Sequence, residues 1–411
     1  MPPAAIPNPF VYGQVLIPGR PFCARPTLEA QVLEAAQTQS RIVLVGERRM
    51  GKSSLVEHTL KESSHVLVSV DLRGLISVED FIDRLTMHLA SALKAHRALL
   101  KHLPAPLQDA LTFLEEVKLH AGPLELSARG KAKASTVIRA MDAIERASRW
   151  KKLTVFFDEF QDIVENLEER DSRHLLGVLR AEIQRHTQVA YIFAGSARGS
   201  MLDIFTGERS HFYQSAAFLE VGPIPEADMG KFLVEQFARG GRKITPETVH
   251  DIFTLAGPSP NDQQQLAYHL WTQSTPGVID KDALRRAFSN IMGEIARRGE
   301  MILEEATPAQ RRVLFALALR EGDEVATDSF IRFSGFKANS SVNAAMRPFL
   351  KGTNALLEKT GSRVKFRDRF VRLWLLVLLN RNPGMFPASR SLKESAEQRE
   401  ILTYVRSVDS V

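Results

Sequence analysis

The sequence predicts an α/β fold, a parallel sheet with helices on both faces, followed by an all-helical unit and a smaller unit of helices and two strands. Three observations carry that prediction. Apolar, β-prone runs at Arg41–Val45, His65–Val70, Leu153–Phe157 and Val189–Ala194 are separated by helical patterns. Near-continuous apolar runs are the mark of strands buried on both faces, and their alternation with helices builds a parallel sheet. The first run enters Gly46-Glu47-Arg48-Arg49-Met50-Gly51-Lys52-Ser53, the glycine and lysine spacing of a phosphate-cradling P-loop. From about Pro223 to Gly299 the pattern is helical only, and past Met301 three helices lead into two short strands.

Taken in order, residues 1–40 form a Pro- and aromatic-rich arm up to Phe22 and a helix from Thr27 to Gln39. The core, 41–222, opens with strand, loop and helix to Lys61 and continues with the strand at His65–Val70. Leu72–Leu119 is mostly helical, broken at Pro104 and Pro106. A polar loop or hairpin at Gly122–Ser135 precedes a helix over Thr136–Trp150. Residues 223–300 form the helical unit. In 301–380, Thr307 caps a helix with Pro308 at its first position, and helices follow at Asp328–Phe333 and Ser340–Lys351. Leu356–Phe366 then reads as two strands around a Thr360-Gly361 turn, completing a winged helix-turn-helix. Residues 381–411 are a polar tail, expected to be loosely held.

A chain of 411 residues exceeds what one core usually supports, which fits this division into several domains. The single cysteine, Cys23, rules out an intrachain disulfide, and the eleven histidines show no ligand spacing. Met1–Pro9 lacks a basic leader and an apolar core, and the longest apolar run, Leu373–Leu379, is far short of the ~20 residues of a membrane span. A cytoplasmic protein is expected. The formal net charge of +6 is compatible with nucleic acid and equally with plain solubility.

Gly46 and Gly51 let the loop backbone turn its N–H groups onto phosphate, helped by the positive end of the following helix. Lys52 reaches the β- and γ-phosphates, and the Ser53 hydroxyl ligates Mg²⁺. Ser54 and the loop residues Glu47, Arg48, Arg49 and Met50 complete the cradle. Asp158 and Glu159 end the third apolar run, where P-loop enzymes place the carboxylate that holds Mg²⁺, here Asp158. Glu159 follows as general base for the attacking water. At the tip of the fourth run, Ser196 is the candidate γ-phosphate sensor. Arg198 reads either as a source of transition-state charge or as a solvated loop arginine. Arg48 and Arg49 cannot both face phosphate; one serves a neighbouring subunit or braces the acidic strand.

Together, Gly46, Arg48-Arg49, Gly51–Leu55, Phe156–Gln161 and Gly195-Ser196 resemble the archaeal-type ATPase family, a branch of the STAND class of P-loop ATPases related to AAA+ proteins. Asn8-Pro9-Phe10 and Phe22-x-x-Arg25 look like its N-terminal signature, with Ala24 where glycine is usual and Pro26 where an acid is usual. Gly257-Pro258-Ser259-Pro260, followed by Gln264, Leu266 and Trp271, resembles its helical-lid motif, with one residue more than the minimal form. The resemblance implies an ATPase switching between ADP and ATP states with Mg²⁺, a lid whose Pro260 approaches nucleotide, a winged helix behind it and a separate effector protein.

Three readings follow. One is an ATP-hydrolysing switch. Another is an ATP-gated DNA-binding regulator with negligible hydrolysis, in which Lys337, Arg347, Lys351, Arg363, Lys365 and Arg367 meet duplex phosphates. The third is a homo-oligomeric AAA+-like remodeller or loader on DNA. Latching of the winged helix onto the ATPase core competes with DNA contact.

Overall fold

Period-two alternation inside the apolar runs sets the architecture of Val15–Pro223, one of the two units into which the chain divides. In the computed structural model, which describes residues 6–15, 19–61, 63, 65–97, 104–120, 129–208, 210–350, 355–386 and 396–407, this unit runs α1 (Pro26–Gln37), β1 (Arg41–Val45), α2 (Lys52–Lys61), β2 (Val66–Asp71), α3 (Val78–Arg97), α4 (Ala105–His120), α5 (Arg129–Ser148), β3 (Leu153–Asp158), α6 (Asp162–Asn166), α7 (Glu169–Arg185), β4 (Val189–Gly195), α8 (Arg198–Thr206) and β5 (Ala217–Glu220). The five strands are parallel, in the order β2-β3-β4-β1-β5. Ile42 and Leu44 of β1 pack with residues of α1 and α2 on one face, while Val43 and Val45 pack with α3, α4, α5 and α7 on the other. Successive strand side chains point to opposite faces, so an unbroken apolar strand supplies both cores.

Three details differ from the sequence expectation. The helix expected from Thr136 already begins at Arg129; the rest of the expected 122–135 loop lies at 122–128, outside the described residues. β2 continues one residue further, to Asp71, because register with β3 pairs Asp71 with Asp158. β5 was not legible: its four residues are exposed or half-buried, and its apolar stretch, Ala217–Leu219, is short.

The other unit joins Met1–Gln14 to Ile224–Val411. It contains α9 (Glu226–Arg239), β6 (Arg242–Lys243), α10 (Pro246–Ala256), α11 (Pro260–Thr272), β7 (Gly277–Val278), α12 (Lys281–Glu305), α13 (Pro308–Leu319), α14 (Asp328–Phe333), α15 (Asn339–Leu350), β8 (Leu357–Thr360), β9 (Arg363–Phe366), α16 (Arg369–Arg381) and α17 (Ala396–Ser407). The stretch expected to be purely helical thus carries a two-residue parallel pair, β6–β7. Helix starts are capped by side chains: Thr245, Ser259, Asp280, Thr307, Thr327 and Asp368 each accept from a backbone N–H, and Thr307 forms a full capping box with Gln310. β8 and β9 form an antiparallel hairpin after α13, α14 and α15.

Both chain ends depart from expectation. The 1–40 segment does not act as one arm. Phe10 is buried among Phe232, Phe237 and Trp271, with ring centroids 6.5, 4.8 and 6.2 Å away, so residues up to Gln14 belong with the helical unit. The Asn8 amide donates to the Tyr268 carbonyl at 3.0 Å, and the Gly13 N–H to Asn261 Oδ1 at 2.7 Å. The tail, expected to be loosely held, instead carries α17, whose Ile401, Tyr404 and Val405 are buried. Its apolar residues recur at helical spacing, and that spacing outweighs the polar average. Among the described residues no helix is long and apolar enough to cross a membrane.

Candidate nucleotide site

The carboxyl end of the sheet gathers the predicted residues. In open parallel sheets ligands bind at the carboxyl edge, beside the strand where the connections change direction. Here β1 lies between β4 and β5, and its loop occupies that place. Gly46 is obligatory by close approach: a Cβ there would stand 2.2 Å from the Val221 carbonyl oxygen. Arg49 (φ 65°) and Gly51 (φ 82°) are left-handed, and alternating them with ordinary residues turns successive N–H groups to one side. Met50, by contrast, buries its side chain in the core on the α1–α2 face and offers only its backbone to the loop.

Lys52, the first residue of α2, is buried; its ammonium donates to the Gly46 carbonyl at 2.8 Å and the Glu47 carbonyl at 3.0 Å. The positive charge is thereby held inside the loop. The Ser53 hydroxyl donates to Asp158 Oδ2. Burial pushes the Asp158 carboxyl up to about 6, the Ser53 bond opposing it and the neighbouring Glu159 and Asp71 charges reinforcing it. A buried oxygen donor set with excess negative charge suits a hard cation such as Mg²⁺.

Glu159 is buried and left-handed (φ 52°), an uncommon conformation for a residue with a Cβ. One of its oxygens, Oε2, accepts three hydrogen bonds: from the Ser196 hydroxyl at 2.7 Å, the Ser196 N–H at 3.2 Å and the Gln161 amide at 2.7 Å. Burial alone would raise this carboxyl, but those bonds and the charges of Lys52 and Arg48 outweigh it and hold it below the usual range. Ser196 therefore grips Glu159, and its hydroxyl also receives Arg48 Nε at 3.3 Å. That contact places Arg48 as the arginine turned toward the acidic strand.

The remaining candidates lie on other elements. Arg198 opens α8 and pairs with Glu220 at 2.7 Å, both side chains exposed. Pro260 is the first residue of α11 in the other unit, preceded by Gly257 at φ 67°. Arg347 and Arg363 are exposed, Lys365 is half-buried, and Lys351 lies outside the described residues. Sequence reasoning missed the braces. Arg25 donates to the Met50 carbonyl and the Gly222 carbonyl, both at 2.8 Å, tying the P-loop to the end of β5. Gln161 and Asp162 hold Glu159 and the β2–α3 loop. Asp71 stands level with Asp158; the only sequence signal for it was an acid directly after an apolar strand.

A family model described as Novel STAND NTPase 1 matches residues 19–344. The chain belongs to this novel STAND NTPase family. Among solved structures, the Walker-type ATPase paby2304 of Pyrococcus abyssi is similar over 86% of this chain and 96% of that one, with TM-score 0.60 and 19% identity, a likeness of fold. More distant are the ORC2 protein of Aeropyrum pernix (TM-score 0.46, 12% identity, 89% and 97% covered) and the STAND protein with a tetratricopeptide repeat sensor PH0952 of Pyrococcus horikoshii (0.36, 13%, 98% and 49%). No curated protein matches. The STAND assignment makes nucleotide the substrate class.

Proposed function

We propose that this STAND NTPase is an ATP-hydrolysing molecular switch whose hydrolytic machinery lies at the carboxyl edge of the sheet. The observation that carries this reading is the state of Glu159: a buried carboxylate kept ionised and pinned through Oε2 by Ser196 and Gln161, next to the Ser53–Asp158 pair. Lys52 and the loop N–H groups hold the phosphates, while Ser53 and Asp158 hold Mg²⁺. Bound there, Mg²⁺ supplies charge stabilisation to the transferring phosphoryl group. Glu159 takes the proton of the attacking water and loses it to solvent after phosphate departs. Ser196 and Arg48 keep the carboxylate aimed. The helical unit, with Pro260 at the head of α11, is the lid, and the α13–β9 segment is a winged helix that changes position with nucleotide state.

The decisive experiment is steady-state phosphate release by the full chain with Mg·ATP. Glu159→Gln is expected to lower turnover by roughly a hundredfold or more while leaving nucleotide binding intact; an unchanged rate would end this reading.

A second reading, duplex DNA as partner of the winged helix, is favoured by one feature of α15. Val342, Ala345 and Met346 face inward, so its outer face presents Ser340, Ser341 and Arg347 to solvent, with Lys337 just before it. Binding that falls steeply with salt and is lost on replacing Arg347, Arg363 and Lys365 with alanine is the expected result; no duplex binding at moderate salt removes it.

A further inference from the structure

The loop joining β2 to α3 is fastened far more firmly than its exposure would suggest. The Arg73 N–H donates to Asp71 Oδ1 at 2.9 Å, and the Gly74 N–H to Asp162 Oδ2 at 2.7 Å. From α3, Arg84 donates to the carbonyls of Asp71 and Arg73, both at 2.9 Å, while Asp80 fixes the same guanidinium through two bonds of 2.9 Å. Leu72 and Leu75 are buried beneath the loop, and the Leu72 N–H bonds the Asp158 carbonyl at 2.9 Å. Gly74 takes φ 65°, which keeps the turn tight. These bonds order the backbone on both sides of Arg73, whose side chain is 65% exposed.

What Arg73 faces gives the ordering a purpose. Its guanidinium is 4.0 Å from Glu159 Oε1, the oxygen opposite the one that Ser196 and Gln161 occupy. Oε2 already accepts three bonds, so the lone pairs left to meet water are those of Oε1. With Arg73 exposed, Glu159 buried and 4.0 Å between them, the pair is an electrostatic contact across the mouth of the site and not a close hydrogen bond.

We propose that Arg73 is a positioning residue for hydrolysis: held by the β2–α3 loop, it steers Glu159 Oε1 toward the attacking water. This rests on Glu159 acting as general base. The loop, and not the P-loop, then controls the last step, so nucleotide can be held without being hydrolysed whenever the loop is displaced.

The test uses the full chain with Mg·ATP and a fluorescent ATP analogue for affinity. Arg73→Ala is expected to lower kcat roughly tenfold or more, with affinity within about twofold and an unchanged melting temperature, and Arg73→Lys to recover part of the rate. In a Glu159→Gln background, Arg73→Ala should cost nothing further, since residues acting through one group are not additive. A normal rate in Arg73→Ala, a loss confined to affinity, or an equal further loss in the Glu159→Gln background overturns the proposal. If Glu159→Gln itself hydrolyses normally, the base assignment has failed; if it is inactive while Arg73→Ala runs at full rate, only the role of Arg73 has.

Discussion

Beneath β3 and β4, at the amino end of the sheet, buried polar groups pair as neutral neighbours: His186 Nδ1 with the Tyr191 hydroxyl at 2.6 Å, and Thr154 with His65 at 3.5 Å. At the carboxyl end of the same strands stand Asp158 and Glu159, buried side by side, with Lys52 enclosed by carbonyls and left-handed backbone at Arg49 and Glu159. One end holds neutral groups, although His186 Nε2 is buried without a hydrogen-bond partner. The other concentrates like charge and unusual backbone, which persist only where the surroundings over-determine them. Their coincidence with the P-loop is what marks the working end.

Three substitutions test that contrast. The largest effect is expected from Gly46→Ala, whose new methyl meets the Val221 carbonyl oxygen at 2.2 Å and forces the P-loop off its seat. Misplacement by about 1 Å costs on the order of a hundredfold in rate, so hydrolysis and nucleotide affinity should both collapse. Retained activity would show that the loop does not need its observed path.

At the amino end the expected effect is on stability alone. Burial lowers the His186 imidazole to about 4, the Asp142 charge opposing it, against an ordinary 6.5. Between those values the unfolded chain binds more protons than the native one, so stability is complete above about pH 6.5 and falls as pH drops toward 4. At pH 5 the loss is about 2 kcal/mol. Asp158, raised to about 6, shifts stability the opposite way over the same range, so the His186 contribution is read from urea melts at pH 7 and pH 5 as the difference between wild type and His186→Gln, with turnover unchanged. A turnover defect at neutral pH would dissolve the division between the two ends.

The smallest effect is expected from Arg198→Ala, near the working end but paired with Glu220 in solvent. Less than about threefold in kcat is expected, in line with the small worth of exposed ion pairs. A collapse of activity, particularly one rescued by mixing with a Lys52→Ala subunit, would reinstate Arg198 as a residue acting in trans in an oligomer.

Much of the site was legible because its parts are contiguous. Gly46 to Ser53 is one loop, and Asp158-Glu159 follows four apolar strand residues. Arg25, Arg73 and Gln161 were not legible as site residues. Each reaches it through a contact set by sheet register or a loop path: Arg25 through the end of β5, Arg73 through a turn stapled by Arg84 and Asp162, Gln161 through the left-handed Glu159. Ser196 and Glu159 were both found, but Ser196 as a γ-phosphate sensor; the bond between them was not foreseen. The Phe10 anchor and the buried face of α17 show the same limit at the chain ends.

By itself, the sequence determined the parallel sheet, the phosphate loop and the acidic strand end, since periodicity and loop chemistry are properties of neighbouring residues. Tertiary structure alone decided which oxygen of Glu159 is held and which is left for water, because that depends on β2, β3 and β4 lying side by side in one register.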